Sequence, residues 1–321
     1  MRIIETISDL KVIRSGCVLT IGNFDGVHIG HQRILSAAEG IAAERAVELT
    51  VMTFEPHPAA ILYPEKAPAV LTPLSFKEHL LAKCGVDCLI VLKDSAELMS
   101  LSPQKFVDEF LTATVQPAVV VEGENFNFGC GRTGNVHTLR NLGVEKGFEV
   151  IAIETEEVKM SIGQALKVSS TLIRNLLQAG KVTDAAVALT RPYRLIGKVI
   201  KGRGKGAELG FPTANMAKSN QLVPAEGVYA GRVEIGDSEK EVCEADEKIP
   251  AALSIGRTKT YGAEQPLLIE AHLLWQNVGQ LIGKWMAVDF IEKIRDQRKF
   301  ETESQLSTQI ANDCEKVKKI L

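Results

Sequence analysis

The stretch that most constrains the fold spans residues 18–35, where a strand, a glycine-containing loop and a helix follow one another. Val18–Ile21 is a short apolar, β-rich run that ends at Gly22, which predicts a buried strand. Apolar residues then recur on one face over residues 30–45, which predicts a helix. Because a helix N-terminus offers free N–H groups and partial positive charge, an anion is the natural ligand of the loop.

The loop carries two histidines, His28 and His31, which point the same way at the start of the predicted helix. By itself this spacing fits a metal site or two ordinary surface histidines as well as a phosphate site. The preceding strand, the glycines and the following helix favour binding of nucleotide phosphates. Five further loop residues are candidate phosphate neighbours: Gly22, Asn23, Phe24, Asp25 and Gly30.

The rest of the chain shows two different patterns of predicted secondary structure. Predicted strands and helices alternate in the first half, which is typical of a parallel sheet covered on both faces, with ligands at the carboxyl ends of its strands. After about residue 190, short strand-like runs separated by turn residues predict a small antiparallel barrel, followed by a helix over about 303–319. We therefore predict an α/β protein with two domains, residues 1–188 and 189–321.

Composition limits the class of protein. A chain of 321 residues exceeds the size at which one core usually keeps growing, which also favours two domains. A net charge of −3 argues against binding of nucleic acid. The six cysteines show no zinc or disulfide spacing, the N-terminal residues are too charged for a signal peptide, and no apolar run is long enough for a membrane span. We expect a soluble cytoplasmic protein.

Two segments of the first half suit further ligand contacts. The loop 122–134 is rich in glycine and contains Asn125, Phe126 and Phe128, which suit a planar heteroaromatic ring and its polar edge. His57 lies between two prolines, and a structural turn histidine is favoured there over a catalytic one.

The segment 168–174 reads Val-Ser-Ser-Thr-Leu-Ile-Arg. Either Ser169 or Ser170 can cap a helix that begins at Thr171, and Arg174 lies one turn along. These hydroxyls, N–H groups and the guanidinium would form a second phosphate site, although in isolation a simple helix cap is the favoured interpretation.

In the second half, Thr213 and Asn215 alternate onto one side of an extended backbone and present oxygen atoms to a hard cation such as Mg²⁺. Lys201 and the neighbouring Arg203 and Lys205 add positive charge for phosphates. Glu270 lies within an apolar run, where a carboxylate is rarely buried without a reason. Periodicity leaves open whether Glu270 faces the interior of the barrel or the outside.

Together these motifs resemble a known family. The string GNFDGVHIGHQ and the Ser-Ser-Thr-Leu-Ile-Arg element resemble the flavin-specific branch of the nucleotidylyltransferases, whereas Leu-Gly-Phe-Pro-Thr-Ala-Asn over 209–215 and the Glu of Ile-Glu-Ala-His resemble riboflavin kinase. The resemblance covers nearly the whole chain and identifies it as a member of the bacterial bifunctional riboflavin kinase/FAD synthetase family. The chain departs from the family pattern at Ala207, over 254–261 and over 275–283, which is expected to weaken substrate binding in the kinase.

The resemblance implies two ATP-dependent steps. Glu270 would act as base while riboflavin is phosphorylated to FMN, with Thr213 and Asn215 at Mg²⁺ and with Gly210 in the nucleotide-binding element. His28 and His31 would serve the adenylylation of FMN to FAD, with release of pyrophosphate. The implied partners are riboflavin, FMN, FAD and ATP, with the chain as a monomer or weak homo-oligomer. The alternatives are a monofunctional FMN adenylyltransferase with a degenerate kinase domain, an adenylyltransferase for another phosphate acceptor, and a flavin-binding carrier or sensor.

Overall fold

The computed structural model shows a chain that forms two compact units. The described residues are 1–6, 9–10, 15–93, 95–154, 157–161, 163, 165–244, 248–257, 267–274 and 281–321. The first unit comprises Met1–Pro68, Lys77–Val158 and Ala165–Val168, and the second comprises Ala69–Phe76, Lys159–Gln164 and Ser169–Leu321. Residues 169–188, which the sequence analysis assigns to the first domain, are thus grouped with the second unit.

Sixteen strands occur in the described residues. They are β1 (Arg2–Ile4), β2 (Val18–Ile21), β3 (Leu49–Phe54), β4 (Cys88–Leu92), β5 (Val119–Gly123), β6 (Asn127–Phe128), β7 (Gly134–Asn135), β8 (Glu149–Ile153), β9 (Glu157–Lys159), β10 (Ala165–Lys167), β11 (Tyr193–Ile200), β12 (Ala214–Met216), β13 (Gly227–Gly236), β14 (Ile249–Arg257), β15 (Leu267–Leu273) and β16 (Trp285–Arg295).

Eleven α-helices accompany these strands in the same residues. They are α1 (Ile29–Arg45), α2 (Pro58–Leu62), α3 (Leu74–Lys83), α4 (Ala96–Ser100), α5 (Pro103–Lys105), α6 (Val136–Lys146), α7 (Ser170–Gln178), α8 (Val182–Leu189), α9 (Lys205–Glu208), α10 (Glu239–Glu244) and α11 (Glu303–Ile320). Short 3₁₀ turns occupy Pro64–Lys66 and Cys130–Arg132.

The first unit is built on a parallel six-stranded sheet with the order β1-β4-β3-β2-β5-β8. Every residue of β2, β4 and β5 is buried, as expected for a parallel sheet with both faces covered. The chain order reverses between β2 and β5, and ligands of open α/β sheets bind in the crevice at such a reversal, outside the carboxyl ends of the strands. The predicted parallel sheet is confirmed, and this crevice lies where the histidine loop leaves β2.

A helix begins after Ser102 with an ordinary first turn and then becomes a π-helix. Ser102 accepts a hydrogen bond from the N–H of Lys105 at 3.3 Å, and Pro103 occupies the first turn. From Phe106 to Val115 the backbone forms a π-helix, which ends where the N–H of Gln116 donates to the carbonyl of Leu111 at 2.7 Å. The broader turn buries five apolar side chains against the sheet: Phe106, Val107, Phe110, Leu111 and Val115.

The second unit contains a closed antiparallel barrel with the order β11-β12-β15-β14-β13-β16. The aromatic rings of Tyr193, Tyr229 and Phe290 pack in its core, where the Tyr229 and Phe290 ring centroids lie 5.3 Å apart. The helix α11 follows β16. The predicted barrel and its terminal helix are confirmed.

A buried charged cluster ties three strands of the barrel together. The Arg194 guanidinium on β11 donates to both carboxylate oxygens of Asp289 on β16 and to both of Glu234 on β13, at 2.7–3.1 Å. Lys248 Nζ lies 3.1 Å from Asp289 Oδ2. Because each buried charge has a partner, the cluster fixes the register of these strands without leaving a bare ion.

Candidate active sites

The loop between β2 and α1 holds an unusual backbone. Phe24 and Val27 have φ angles of 46° and 40°, and both side chains are buried. A β-branched residue rarely adopts such angles, so the surrounding contacts must hold the loop in place. Thr53 Oγ1 donates to the carbonyl of Asn23 at 3.2 Å, and Gln32 Nε2 donates to that of Val27 at 2.8 Å. The loop is therefore preorganised.

The two histidines come together at the N-terminus of α1. Their rings stack with centroids 3.6 Å apart and an interplanar angle of 17°. His28 is the N-cap residue, and its Nδ1 accepts a hydrogen bond from the N–H of His31 at 3.3 Å. Since Nδ1 is the acceptor, a neutral His28 ring carries its proton on Nε2 and can donate it to a ligand.

His31 is held neutral by its surroundings. Burial, the neighbouring His28 and the charge of Lys77 lower the pKa of His31 well below its usual value. Its Nδ1 is buried without a hydrogen-bond partner among the described residues. An unpaired buried ring nitrogen beside a helix N-terminus indicates that a ligand group belongs there.

The five predicted neighbours of the histidines lie in the same loop or first turn. A Cβ on Gly22 would lie 3.2 Å from the Phe24 ring, and one on Gly30 would lie 3.3 Å from the His28 ring, so both positions need the close approach of glycine. Asp25 is buried, whereas Asn23 is half-buried. Phe24 is a core residue whose ring centroid lies 5.2 Å from that of His31, so only its backbone faces the loop.

His57 has the structural role that the sequence favours. It is the N-cap of α2, and its Nδ1 accepts from the N–H of Ala59 at 3.1 Å. Its Nε2 lies 3.0 Å from Asn23 Nδ2, which joins the end of β3 to the histidine loop.

The loop after β5 borders the same reversal of the sheet. The rings of Phe126 and Phe128 stack with centroids 5.7 Å apart, and Phe128 packs in the core against Phe106. Phe126 is half-buried, and Asn125 is exposed. Of the three predicted flavin contacts, Asn125 and Phe126 are therefore accessible, whereas Phe128 is buried and packs against Phe126.

A buried carboxyl group, Glu122 on β5, binds the end of the neighbouring strand β2. Its Oε1 accepts from the N–H of Ile21 at 2.6 Å, and burial raises the pKa of Glu122 well above its usual value. The hydrogen bond from this buried carboxyl group fixes the strand end from which the histidine loop departs. Glu122 is not among the predicted site residues, although a Glu inside the run Val-Val-Val-Glu is a visible signal.

The segment that contains Ser169, Ser170, Thr171 and Arg174 belongs to the second unit. Ser169 is the N-cap of α7 and accepts from the N–H of Leu172 at 3.2 Å, which decides between the two candidate caps. Arg174 Nε donates to the carbonyl of Ala69 at 2.8 Å, also within the second unit. The role of this segment in binding phosphate stays a prediction.

On the barrel, three strands align the predicted kinase residues. Asn215 on β12 lies directly opposite Glu270 on β15, which in turn lies opposite Ser254 on β14. Residues directly opposite one another share a face of the sheet. Thr213 immediately precedes β12, and a Cβ on Gly202 would collide with the Asn215 amide, so the glycine-rich segment lies over these side chains.

Glu270 lies on the outer face of the barrel wall. Ile269, Ala271 and Leu273 are buried in the core, whereas Glu270 alternates with them and is half-buried. Burial raises the pKa of Glu270, and the charge of Arg203 opposes that rise. This settles the open question: the carboxylate faces outward but is partly covered, which suits a proton acceptor.

His272 holds the neighbouring turn in place. It lies two residues after Glu270 on the same face, and its Nδ1 lies 2.8 Å from the carbonyl oxygen of Pro212. Its ring also meets Phe211 edge-on, with centroids 5.5 Å apart. The predicted phosphate neighbours Lys201 and Gly210 are both exposed, and Gly210 has a φ angle of 85°.

A further depression in the second unit was not predicted. It has a volume of about 390 Å³ and is lined by an aromatic ring with hydroxyl and amide side chains: Phe300, Ser304, Gln305, Thr308, Gln309 and Asn312. Of the departures from the family pattern, Ala207 lies on α9 and Ser254 lies on β14. Ile282 is exposed, and residues 258–266 and 275–280, which include the remaining departures, lie outside the described residues.

Comparison with known proteins gives matches to both halves of the chain. The family described as FAD synthetase matches residues 10–172, and the family described as riboflavin kinase matches residues 189–321. A bifunctional riboflavin kinase/FMN adenylyltransferase of Escherichia coli strain K12 is 35% identical over 98% of this chain and 96% of its own length. One from Pseudomonas fluorescens is 36% identical over 98% of this chain and 96% of its own length.

A solved structure covers nearly the same extent. It is named as a macrolide-efflux protein from Streptococcus pneumoniae, with a TM-score of 0.84 and 28% identity over 98% of each chain. Across the described part of this chain, no helix is both long and apolar enough to cross a membrane.

Proposed function

The chain belongs to the family of bifunctional riboflavin kinase/FMN adenylyltransferases, and we propose that its two activities use the two groups of side chains described above. It is an enzyme that phosphorylates riboflavin with ATP and adenylylates FMN with a second ATP. The observation that carries this conclusion is the match to both families along one chain, together with full-length relatives of the same description. It favours the bifunctional enzyme over a monofunctional adenylyltransferase.

The adenylyl transfer is assigned to the loop of the first unit. An oxygen of the FMN phosphate attacks the α-phosphorus of ATP, and the bond from that phosphorus to the bridging oxygen breaks, so pyrophosphate leaves with the electron pair. Negative charge develops on the phosphoryl oxygens, where the His28 Nε2–H and the N-terminus of α1 supply fixed donors. Asn125 and Phe126 contact the flavin ring in this proposal, because they are accessible beside the same crevice.

The kinase step is assigned to the outer face of the barrel. Glu270 accepts the proton of the ribityl 5′-hydroxyl group as that oxygen attacks the γ-phosphorus, and ADP leaves with the electron pair of the broken bond. The raised pKa of Glu270 favours this transfer, since a stronger base takes the proton more readily. Lys201 and the backbone at Gly210 then lie near the phosphates.

A magnesium ion fits the oxygen donors of this group. The described residues hold no cluster of three or more His, Cys, Asp or Glu side chains that could bind a metal. Thr213 and Asn215 present such oxygens beneath the glycine-rich segment, and they would hold Mg²⁺. When bound, the ion neutralises phosphate charge.

The depression beside Phe300 suits the flavin of the kinase reaction. It offers one aromatic ring and several amide and hydroxyl groups, which match a planar heteroaromatic with a polar edge. We place the isoalloxazine ring of riboflavin there. A cytoplasmic location and a monomeric or weakly oligomeric state complete the proposal; they rest on the composition and on the six cysteines, which form no disulfide.

The deciding experiment is incubation of the protein with riboflavin, ATP and Mg²⁺, followed by chromatography of the flavins. FMN should form first, and FAD should follow. Formation of FAD only from added FMN would instead indicate a degenerate kinase. The histidine pair and Glu270 suit phosphoryl chemistry, and neither favours macrolide transport, the activity in the name of the Streptococcus pneumoniae protein.

A further inference from the structure

A buried lysine on α3, Lys77, has no evident structural partner. Its residue is only 4% exposed, on the side of the helix that also buries Leu81 one turn later. Lysine side chains normally extend along an apolar surface until the ammonium group reaches water. Within the described part of the chain, Lys77 makes neither a hydrogen bond nor an ion pair. A buried cation without a partner is costly and therefore calls for an explanation.

The surroundings of Lys77 place its ammonium group beside the histidine loop. Asp25 and Glu55 both act electrostatically on it, and its own charge acts on His31. Asp25 follows β2 and Glu55 follows β3, two neighbouring strands that end at the same edge of the sheet. The charge of Lys77 therefore lies at the carboxyl edge of the sheet, close to the reversal between β2 and β5.

Two polar groups available to a ligand thus lie at this edge. One is the side chain of Lys77, a residue that is only 4% exposed, and the other is the buried Nδ1 of His31, which has no hydrogen-bond partner in the described residues. Burial lowers the pKa of Lys77, and the charges of Glu78 and of the two carboxylates at the strand ends oppose that fall. A cation held in this way, next to the N-terminus of α1, matches a phosphoryl group better than a neutral ligand.

We propose that Lys77 binds a phosphoryl group in the adenylyl-transfer site and stabilises the negative charge there while pyrophosphate leaves. The proposal rests on the proposed adenylyltransferase function. Lys77 keeps its proton throughout: the bond to the FMN oxygen forms, the bond to the bridging oxygen breaks, and the ammonium group acts only through its charge. Both the phosphate chain of ATP and the phosphate of FMN pass this point, and separate titrations distinguish them.

The test compares Lys77→Met with Lys83→Met, a control on the exposed end of the same helix. Losing one hydrogen bond to a charged group should lower kcat/KM for FAD formation by at least about 10-fold in Lys77→Met, through ATP or through FMN. Formation of FMN from riboflavin should not change in either variant. Lys77→Arg, which keeps the charge, should retain part of the activity.

Stability separates this role from a structural one. Methionine removes an unpartnered buried charge, so the thermal midpoint of Lys77→Met should equal or exceed that of the wild type. Inorganic pyrophosphate alone should raise the midpoint of the wild type and of Lys83→Met, but raise that of Lys77→Met less.

Three results would overturn the proposal: unchanged FAD formation in Lys77→Met, a lower midpoint with loss of both activities, or an equal response to pyrophosphate. A wild-type protein that responds to pyrophosphate but makes no FAD would refute the proposed function and leave the role of Lys77 in binding phosphate standing.

Discussion

The two candidate sites each use a partly buried ionisable group, but burial acts on the two groups in opposite directions. It lowers the pKa of His31, which therefore stays a neutral ring at physiological pH. It raises the pKa of Glu270, which is therefore a stronger base once ionised. In both cases the charged form is disfavoured. The first site thus offers fixed donors to phosphate, whereas the second offers an acceptor for a proton.

The sites also differ in how the chain builds them. The first is centred on one loop and helix start at the edge of a sheet, where hydrogen bonds from Thr53 and within the loop hold a strained backbone. The second depends on the alignment of three strands and on a glycine-rich segment that lies over them. We therefore expect the first site, which is centred on one segment of the chain, to tolerate changes elsewhere in the fold. The second site depends on the register of the barrel strands.

The largest expected effect is on the base of the kinase reaction. Glu270→Gln keeps the shape of the side chain but removes its capacity to accept a proton. FMN formation should fall by ~10²–10⁴-fold, the usual contribution of a positioned base. FAD formation from added FMN should not change, as measured by chromatography of the flavins. Glu292→Gln, a change to an exposed carboxylate on β16, is the control, and a comparable loss in that variant would refute the assignment.

The next effect tests the dependence of the second site on its barrel. Arg194→Met removes the cation that pairs with both Asp289 and Glu234, so Glu234 loses its ion-pair partner while Asp289 keeps Lys248. The barrel should lose ~3–5 kcal/mol of unfolding free energy. In heat-inactivation measurements, FMN formation should be lost at lower temperature, while FAD formation from FMN should be retained to higher temperature.

Lys198→Met is the matched control, because this residue on the same strand is exposed and its Nζ lies 5.5 Å from the centroid of the Trp285 ring. Its removal should cost no more than about 1 kcal/mol. Equal inactivation of the two activities in Arg194→Met would show that the first site does depend on the barrel.

The third effect concerns the donors of the first site. His31→Ala should lower FAD formation from FMN by ~10²–10³-fold, as expected when a fixed donor at the developing charge is lost. FMN formation from riboflavin should be spared. Loss of both activities to the same extent, or bound zinc that disappears with the mutation, would contradict the assignment.

His28 needs a variant that separates capping from chemistry, because it is also the N-cap of α1. His28→Asn retains an acceptor for the helix N–H groups, whereas His28→Ala loses it at a cost of ~1 kcal/mol in stability. Both variants should lose FAD formation to a similar extent, and only His28→Ala should also be less stable.

The sequence predicts the contiguous parts of the molecule well. The strand before the histidine loop, the helix that follows that loop and the terminal helix all occur as expected, because each depends on residues close in the chain. The same holds for the parallel sheet, whose strands are continuous apolar runs.

What the sequence does not predict depends on distant parts of the chain. The burial of Lys77 depends on how α3 lies against the sheet, since a lysine on an amphipathic helix is normally solvated. The outward direction of Glu270 depends on strand register, because its pattern of neighbours fits either face. The strained φ angle of Val27 arises from contacts with Gln32 and the turn, and no propensity of valine favours it.

The smallest expected effect is a change in the pKa of the proton acceptor, Glu270. The charge of Arg203 lowers the pKa of Glu270 and so opposes the rise caused by burial. In Arg203→Met the pKa of Glu270 should rise further. Because the base is active only when ionised, FMN formation in the variant should decline at a higher pH than in the wild type as the solution is acidified. At pH values above both transitions the two proteins should reach a plateau that no longer depends on pH.

Ionic strength provides an independent check, since Arg203 is exposed and salt screens its charge. High salt should move the pH at which FMN formation declines in the wild type towards the value in Arg203→Met. The same pH in the variant should move much less. Lys218→Met, a change to an exposed cation just beyond β12, should show the decline at the same pH as the wild type. If Arg203→Met lowers FMN formation equally at every pH, Arg203 contacts substrate rather than tuning Glu270. The electrostatic contrast between the two sites would then rest on burial alone.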